Sequence, residues 1–148
     1  MEENPYPFYL KNLDVRYEFS SISNEKIVHK AVTFTQIPVN DFYNLALLDI
    51  LADGKESDME VSDNHDLPTI LATVIKIVED FLNKFPEKIV TFKGSDNRRT
   101  RLYRIVISKE IDKIQEKFIV LGLLENGEYE LFQTNQNYRA FLIIKKRN

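Results

Sequence analysis

The chain has 148 residues and a mass of 17.4 kDa, which is the size of one ordinary domain. Hydrophobic residues make up 43% and charged residues 29%, a composition typical of globular proteins and not of disordered or collagen-like ones. The absence of cysteine excludes disulfides, thiolate metal sites and a cysteine nucleophile, and it fits a reducing compartment. No apolar run reaches the about 18 residues of a spanning helix, and the acidic start does not resemble an export signal. We therefore expect one cytoplasmic domain, residues 1–148, that makes no contact with membranes.

The formal charge is divided unevenly along the chain. Residues 1–87 carry a net charge of −9 and residues 88–148 a net charge of +6, although the whole chain carries only −3. One interpretation is a dipolar domain whose two parts attract each other across solvated faces. The alternative is that the basic part faces an anion or an acidic partner. The overall acidity disfavours general nucleic-acid binding, which needs a dominant basic surface.

The first third of the chain has the pattern of antiparallel strands. Polar and apolar residues alternate in 14–20, where Val15, Tyr17 and Phe19 share one face, and β-branched residues dominate 26–37. These segments predict a hairpin over 14–37, closed by Pro38. Residues 42–51 are a nearly continuous apolar run that fits a central strand or a short buried helix, and we favour the strand.

The remaining elements follow after an acidic loop at residues 53–68. Apolar residues at three- and four-residue intervals predict a helix over 69–85, and residues 88–93 predict a short strand. A second helix is predicted from 97 to 117, followed by strands at 118–124, 128–133 and 139–146, the first two joined by an Asn-Gly turn. The order βββ-α-β-α-ββ(β) predicts an α/β (α+β) fold with a single mixed, mainly antiparallel sheet. The helix between the third and fourth strands makes these two strands parallel.

The acidic loop contains the one histidine that lies among several carboxylates. His65 has Asp58, Glu60, Asp63 and Asp66 as neighbours in sequence, but the spacing does not match a calcium loop, and zinc sites prefer more nitrogen or sulfur ligands. We expect a solvated loop and no metal. The other histidine, His29, is expected to be an ordinary strand residue. There is no nucleophile elbow and no glycine-rich phosphate loop.

The densest group of functional side chains lies at the start of the second predicted helix. Small residues at 94–97 precede four arginines within seven positions, so that backbone amides, the helix dipole and guanidinium groups come together. The candidate residues for binding an anion or a partner are Ser95, Asn97, Arg98, Arg99, Arg101 and Arg104. Arginine at a helix N-terminus opposes the dipole, so the alternative is that these side chains pair with the acidic loop.

This segment carries a resemblance to a known family. Gly94-Ser95 followed by Arg99-Thr100-Arg101-Leu102-Tyr103-Arg104, with Tyr43-Asn44-Leu45-Ala46 and Leu71-Ala72-Thr73-Val74, resembles a family of small bacterial proteins of unknown function found mainly in Bacteroidetes. The resemblance covers most of the chain and implies no activity.

A more distant resemblance does imply an activity. The predicted helix 69–85, the strand 88–93, the helix opening with Asn97-x-x-x-Arg101-Leu102-Tyr103 and the closing antiparallel strands are similar to the C-terminal half of GNAT N-acetyltransferases. In those enzymes this helix lies beside acetyl-CoA and its tyrosine protonates the leaving thiolate, a role that the resemblance assigns to Tyr103. The glycine-rich loop that binds the CoA pyrophosphate is replaced here by Asp63-Asn-His-Asp-Leu-Pro68. From the residues alone, Tyr103 is expected to be a packed ring.

Three hypotheses follow. The leading one is a non-catalytic GNAT-like domain that needs no cofactor and binds a protein partner or a second copy of itself through the acidic loop and the arginine helix. The second is an acyl-CoA-dependent transferase in which Tyr103 acts at acetyl-CoA. The third is binding of nucleic acid or a phosphate ligand by the arginines.

Overall fold

The computed structural model describes residues 4–11, 16–23, 26–38, 41–57 and 66–147, and these form one mixed sheet with two helices. The strands are β1 Phe8–Lys11, β2 Arg16–Ile22, β3 Ile27–Gln36, β4 Phe42–Ile50, β5 Glu56–Ser57, β6 Ile89–Phe92, β7 Phe118–Leu123, β8 Tyr129–Leu131 and β9 Ala140–Lys145; the helices are α1 Leu67–Lys84 and α2 Asn97–Ile114. The predicted α+β class and order of elements are confirmed.

The sheet has the strand order β1-β2-β3-β4-β6-β9-β7-β8, and β5 pairs with β4. The one parallel pair is β4 with β6, as the crossover through α1 predicts, and the other paired strands of the described residues are antiparallel. The apolar run at 42–51 is therefore a strand, because β3 and β6 pair with its two edges. Such a strand is apolar on both faces, which explains why periodicity did not distinguish it from a helix.

The boundaries differ from the predicted ones in a few places. The edge strand β1 and the two-residue β5 were not predicted, since the first follows Pro5 and Pro7 and the second lies in an acidic segment. The second helix ends at Ile114 instead of 117, and β8 has three residues. Residues 14, 15, 24 and 25 of the predicted hairpin lie outside the described residues.

Both helices pack on the same face of the sheet. The ring of Phe81 in α1 stacks on Phe34 of β3 at 4.0 Å between centroids, and Tyr103 of α2 stacks on Phe92 of β6 at 4.9 Å. Phe34 and Phe92 point to one side because each lies directly opposite Leu45 of β4. The core therefore lies between this face and the two helices.

The predicted apolar stripe of the first helix is the part that fills the core. Seven of its residues are buried: Ile70, Leu71, Val74, Ile77, Val78, Phe81 and Leu82. The helix begins two residues earlier than predicted, at Leu67, with Pro68 in the first turn, where a missing N–H costs nothing.

A polar network attaches the start of the chain to the start of α1. Asp66 accepts hydrogen bonds from the hydroxyls of Tyr6 and Ser21, both at 2.5 Å, and the backbone N–H of Tyr6 donates to Thr73 Oγ1 at 2.9 Å. Burial, and after it the hydrogen bond to Asp66, raises the pKa of Tyr6. Asp66, the residue of the acidic loop next to α1, therefore holds Tyr6 and Ser21 at the start of this helix.

One ion pair is buried between two neighbouring strands of the sheet. Lys30 of β3 and Asp49 of β4 are opposite each other in the register, and their side chains are only 6% and 7% exposed. A buried charge is tolerated only with a partner, because the interior solvates ions poorly.

We predict that Asp49→Ala lowers the free energy of unfolding by about 3–5 kcal/mol, because Lys30 is left buried without this carboxylate. The double variant Lys30→Met with Asp49→Leu recovers most of this loss, since it removes both charges. Urea unfolding monitored by circular dichroism measures the effect. The control is Lys76→Met at the exposed pair Lys76–Glu79, with a loss within about 1 kcal/mol. Equal losses for Asp49→Ala and the control would contradict the prediction.

Candidate functional site

A cleft of about 520 Å³ opens where β6 ends and α2 begins. It lies between residues 44–47 of β4 on one side and residues 93–97 on the other. β4 pairs with β6 only from Phe42 to Leu45 and continues for five residues beyond that pairing. β5 pairs with the same edge only at Asp49 and Ile50. Within the described residues, the edge of β4 at 46–48 is therefore unpaired, and Ala46 and Leu47 of this segment line the cleft.

The turn between β6 and α2 is held by close backbone packing. The N–H of Gly94 donates to Thr100 Oγ1 at 2.9 Å, and the Thr100 hydroxyl donates to the carbonyl of Asp96 at 3.1 Å. A Cβ on Gly94 would come within 2.5 Å of the backbone nitrogen of Thr100, so the turn requires glycine. The small residues that the sequence shows here are thus explained by the approach of the turn to the helix.

Asp96 caps α2 and neutralises one of the arginines. Its Oδ1 accepts the backbone N–H of Arg99 at 2.8 Å, and its Oδ2 is 2.9 Å from Nη1 of Arg99, which also donates to Ser95 Oγ. The capping carboxylate offsets the unfavourable placement of a cation in the first turn. The N–H groups of Asn97 and Arg98 also belong to this first turn, which has no acceptor within the helix.

The cleft wall carries charges of both signs. Lys93, Glu125 and Arg139 line it, are exposed, and make no ion pair with any described residue. Together with the positive end of the α2 dipole, Lys93 and Arg139 make the side of the cleft beside the helix start favourable for an anion. Glu125 and Asp96 are the acidic residues of the wall, and the Asp96 carboxylate is paired with Arg99.

The predicted site residues separate into two groups. Ser95, Asn97 and Tyr103 line the cleft, and the Tyr103 ring is 8% exposed and packed on Phe92, as expected for a packed tyrosine. The four arginines do not line it. They project from α2 outside the cleft, although they are adjacent in sequence.

The arginines have different local partners. Arg99 is held by Asp96 and Ser95, and Arg104 donates to the backbone carbonyl of Thr134 at 3.2 Å. Arg98 and Arg101 are exposed and form no ion pair with the described residues. The turn of the helix therefore leaves two of the four guanidinium groups available.

The described acidic residues of the loop do not pair with these arginines. Glu56 pairs with Arg16 at 2.7 Å, and Asp66 belongs to the network with Tyr6. Asp58, Glu60, Asp63 and His65 lie outside the described residues. The acidic and basic parts of the chain are instead joined by Lys88 with Asp41 at 3.1 Å and Lys117 with Glu79 at 2.7 Å.

Three charged cleft residues, Lys93, Glu125 and Arg139, were missed by the sequence reasoning. Lys93 follows β6 directly, whereas Glu125 and Arg139 come from the last third of the chain, after β7 and before β9. They meet the turn because β9 pairs antiparallel with β6, with Phe141 opposite Phe92. No local sequence pattern predicts that Glu125 and Arg139 lie near the turn between β6 and α2. Only the order of the strands in the sheet brings them there.

The loop that carries Arg139 is fixed by Tyr138. Its ring lies against Gly122, where a Cβ would come within 2.3 Å, and its hydroxyl donates to Glu130 at 2.5 Å and accepts the N–H of Gln133 at 2.9 Å. Burial, and after it the hydrogen bond to the Glu130 carboxylate, raises the pKa of Tyr138 to about 12. The hydrogen bonds of the neutral Tyr138 phenol therefore fix the loop that brings Arg139 to the cleft.

In the part of the chain that the structure covers, no three histidine, aspartate or glutamate side chains come together as metal ligands. The helices found there also lack the length and apolar character needed to cross a bilayer.

We predict that the Tyr138 contacts stabilise the fold below pH 10 and that this contribution is lost between pH 10 and 12. The unfolded tyrosine ionises near 10.0 and the folded one near 12, so rising pH favours the unfolded state across this interval. Thermal unfolding of the protein and of Tyr138→Phe should show a Tm difference that is constant up to pH 10 and changes above it. A difference that stays constant up to pH 12 would contradict the assignment. Glu130→Gln should lower the pKa of Tyr138 in an absorbance titration.

Comparison with known proteins gives a family and no activity. Neither the curated proteins nor the solved structures contain a significant match to the chain. The match to a family extends over residues 2–146, which includes the cleft, the turn and both helices. The chain belongs to DUF6934, a family of unknown function.

Proposed function

We propose that the protein is a GNAT-like binding domain that holds an anionic small molecule in the cleft between β4 and the start of α2. The observation that carries the proposal is the joint placement of a helix N-terminus, two cations and a strand edge around one cavity, where neither the cations nor the edge pairs with any residue that the structure describes. Its volume of about 520 Å³ lies within the range of small-molecule sites, about 300–1,000 Å³.

Each wall supports a different part of such a ligand. The first-turn N–H groups of α2 suit a phosphate or carboxylate, and Lys93 and Arg139 add positive charge beside them. The unpaired edge of β4 at 46–48 suits an extended chain that contains amides. The N–H and C=O groups of such an edge form hydrogen bonds with amide groups that lie alongside them. An acyl-CoA combines both kinds of group, which agrees with the resemblance to GNAT enzymes.

Catalysis is a separate question from binding. In an acyltransferase Tyr103 would donate its proton to the leaving thiolate, and its ring does lie in the cleft wall. In GNAT enzymes a glycine-rich loop binds the CoA pyrophosphate, and the acidic residues that replace this loop in the sequence oppose such a group, because like charges repel. We therefore assign binding to the cleft and give transfer chemistry as the alternative. Tyr103→Phe keeps binding in both cases and loses turnover only in the second.

We predict that one of acetyl-CoA, CoA, ATP or inorganic phosphate raises the Tm in a low-salt thermal scan. A ligand at about 100 times its Kd adds about 2.7 kcal/mol to stability. Arg139→Glu should weaken this ligand at least about tenfold, or about 1.4 kcal/mol, by placing negative charge in the cleft.

The matched control for this experiment is Arg98→Glu, which reverses an exposed arginine outside the cleft. It should keep most of the affinity. If none of the four compounds shifts the Tm, or if Arg98→Glu abolishes the shift and Arg139→Glu does not, the cleft is not the binding site.

A second candidate function is favoured by the exposed side of α2. Leu102 and Ile105 are 39% and 37% exposed next to Arg101, so this side combines apolar and cationic groups as protein-binding surfaces do. The partner would be an acidic protein segment. Nucleic acid is the other candidate for these arginines, and it predicts affinity that falls with salt with a slope of about −0.9 per phosphate contacted.

We predict for this candidate that Arg101→Glu abolishes recovery of a protein partner from a cell extract, while Lys76→Glu on the exposed side of α1 leaves it unchanged. Charge reversal at the centre of a cationic surface repels an acidic partner. Recovery that is the same for both variants would exclude α2 as the docking element.

A further inference from the structure

The face of the sheet opposite the helices is apolar over its second half. The residues Asn44, Thr91, Leu142, Leu121 and Leu131 lie side by side across β4, β6, β9, β7 and β8, because each is the register partner of the next. They alternate along their strands with the residues that face α1 and α2, so this row marks the helix-free face. On these five strands the face has no charged residue, and Asn44 and Thr91 are its only polar positions.

The exposed large hydrophobic residues are concentrated on this side of the molecule. Ile119, Tyr129 and Leu131 are 37%, 48% and 63% exposed on β7 and β8, and no described helix packs on them. In the first half of the same face, by contrast, β2 presents Arg16 and Glu18 in an ion pair. At the far end of β2 and β3 the same face also carries Ile22 and Ile27, which are register partners and are 56% and 60% exposed, so the first half of the face is mixed.

The sequences of the strands indicate that something covers the apolar half. β9 reads Ala-Phe-Leu-Ile-Ile-Lys and β7 reads Phe-Ile-Val-Leu-Gly-Leu, without the alternation of polar residues shown by a strand with one solvated face. Continuous apolar strands are typical of sheets buried on both faces. The helices cover only one of the two faces. On the other face Ala140 and Leu142 of β9 are already buried within the chain, and the exposed apolar residues of this half lie on β7 and β8.

We propose that a second copy of this chain packs on the helix-free face, forming a two-fold dimer with the two sheets face to face. Five strands spaced about 4.8 Å apart and about six residues long give an apolar area of about 24 by 20 Å. With the polar rim on β2 and β3 this approaches the about 800 Å² per partner that a stable interface buries.

The chemistry of the face also favours a second copy over an unlike partner. Homodimer interfaces are the most apolar kind, and unlike partners are selected mainly by complementary charges, which the five strands lack. A two-fold axis places the same sheet face of both copies against each other, and sheets pack face to face at about 10 Å separation. The rim contributes both signs of charge, Arg16 with Glu18 and Glu56, so it too can face its own copy.

The test is the mass of the full chain in solution by light scattering and sedimentation at several concentrations. We expect twice 17.4 kDa for the protein and 17.4 kDa for Ile119→Lys, which places a charge on the face. The matched control is Ile105→Lys on α2, because Ile105 and Ile119 are both 37% exposed, and it should leave the dimer intact. Leu131→Lys on the short edge strand is a second variant that the fold tolerates, and it should also give the monomer.

Circular dichroism and a cooperative thermal transition show that each variant is folded. A monomer for the unmodified chain at every concentration would overturn the proposal. So would a dimer that survives both Ile119→Lys and Leu131→Lys, or one that only Ile105→Lys dissociates, which would place the interface on α2.

Discussion

The site depends on the shortness of the parallel pairing between β4 and β6. Four residues of each strand are paired, after which β6 ends while β4 continues. Two parallel strands need a crossover connection between them. The helix α1, Leu67–Lys84, forms this connection and packs on the core face of the sheet. The early end of β6 places the N-terminus of α2 beside an unpaired edge of β4, where a crevice at the carboxyl ends of parallel strands is the usual place for a ligand.

The charged residues near this point have two distinct uses. Asp96 is committed to the helix start and to Arg99, and Arg104 holds the loop before β9. Lys93, Glu125 and Arg139 have no such commitment to the described residues and face the cleft. A charge in a cleft that no described residue pairs is a better indicator of binding than a charge that already caps a helix.

The sequence predicted the fold well because periodic burial determines it. The apolar stripe from Ile70 to Leu82 predicted α1, and the alternation of polar and apolar residues around Tyr17 and Phe19 predicted β2. The parallel pair followed from one rule about crossovers. Two short strands were not predicted, because β5 has only two residues and β1 follows two prolines. These strands form through pairing with β4 and β2, and not through the local preference of their residues.

The site was predicted only in part, because its residues come from distant parts of the chain. Ser95 and Asn97 were proposed from the small-residue turn and Tyr103 from the resemblance to GNAT enzymes, and all three line the candidate cleft. The arginines were the most conspicuous residues in the sequence, yet the helical turn directs them outside the cleft. Arg139 enters only through the pairing of β9 with β6, a contact between residues about fifty positions apart.

The most direct test is to map the binding of acetyl-CoA, CoA, ATP and inorganic phosphate by NMR, using the backbone amides of isotopically labelled protein. For the compound that binds, we expect the largest shifts at Gly94, Ser95 and Asn97 in the turn and at Ala46 and Leu47 on the edge of β4. Shifts confined to Arg98, Arg101 and Ile105 on the outside of α2, or no shifts with any of the four compounds, would contradict a binding site in the cleft.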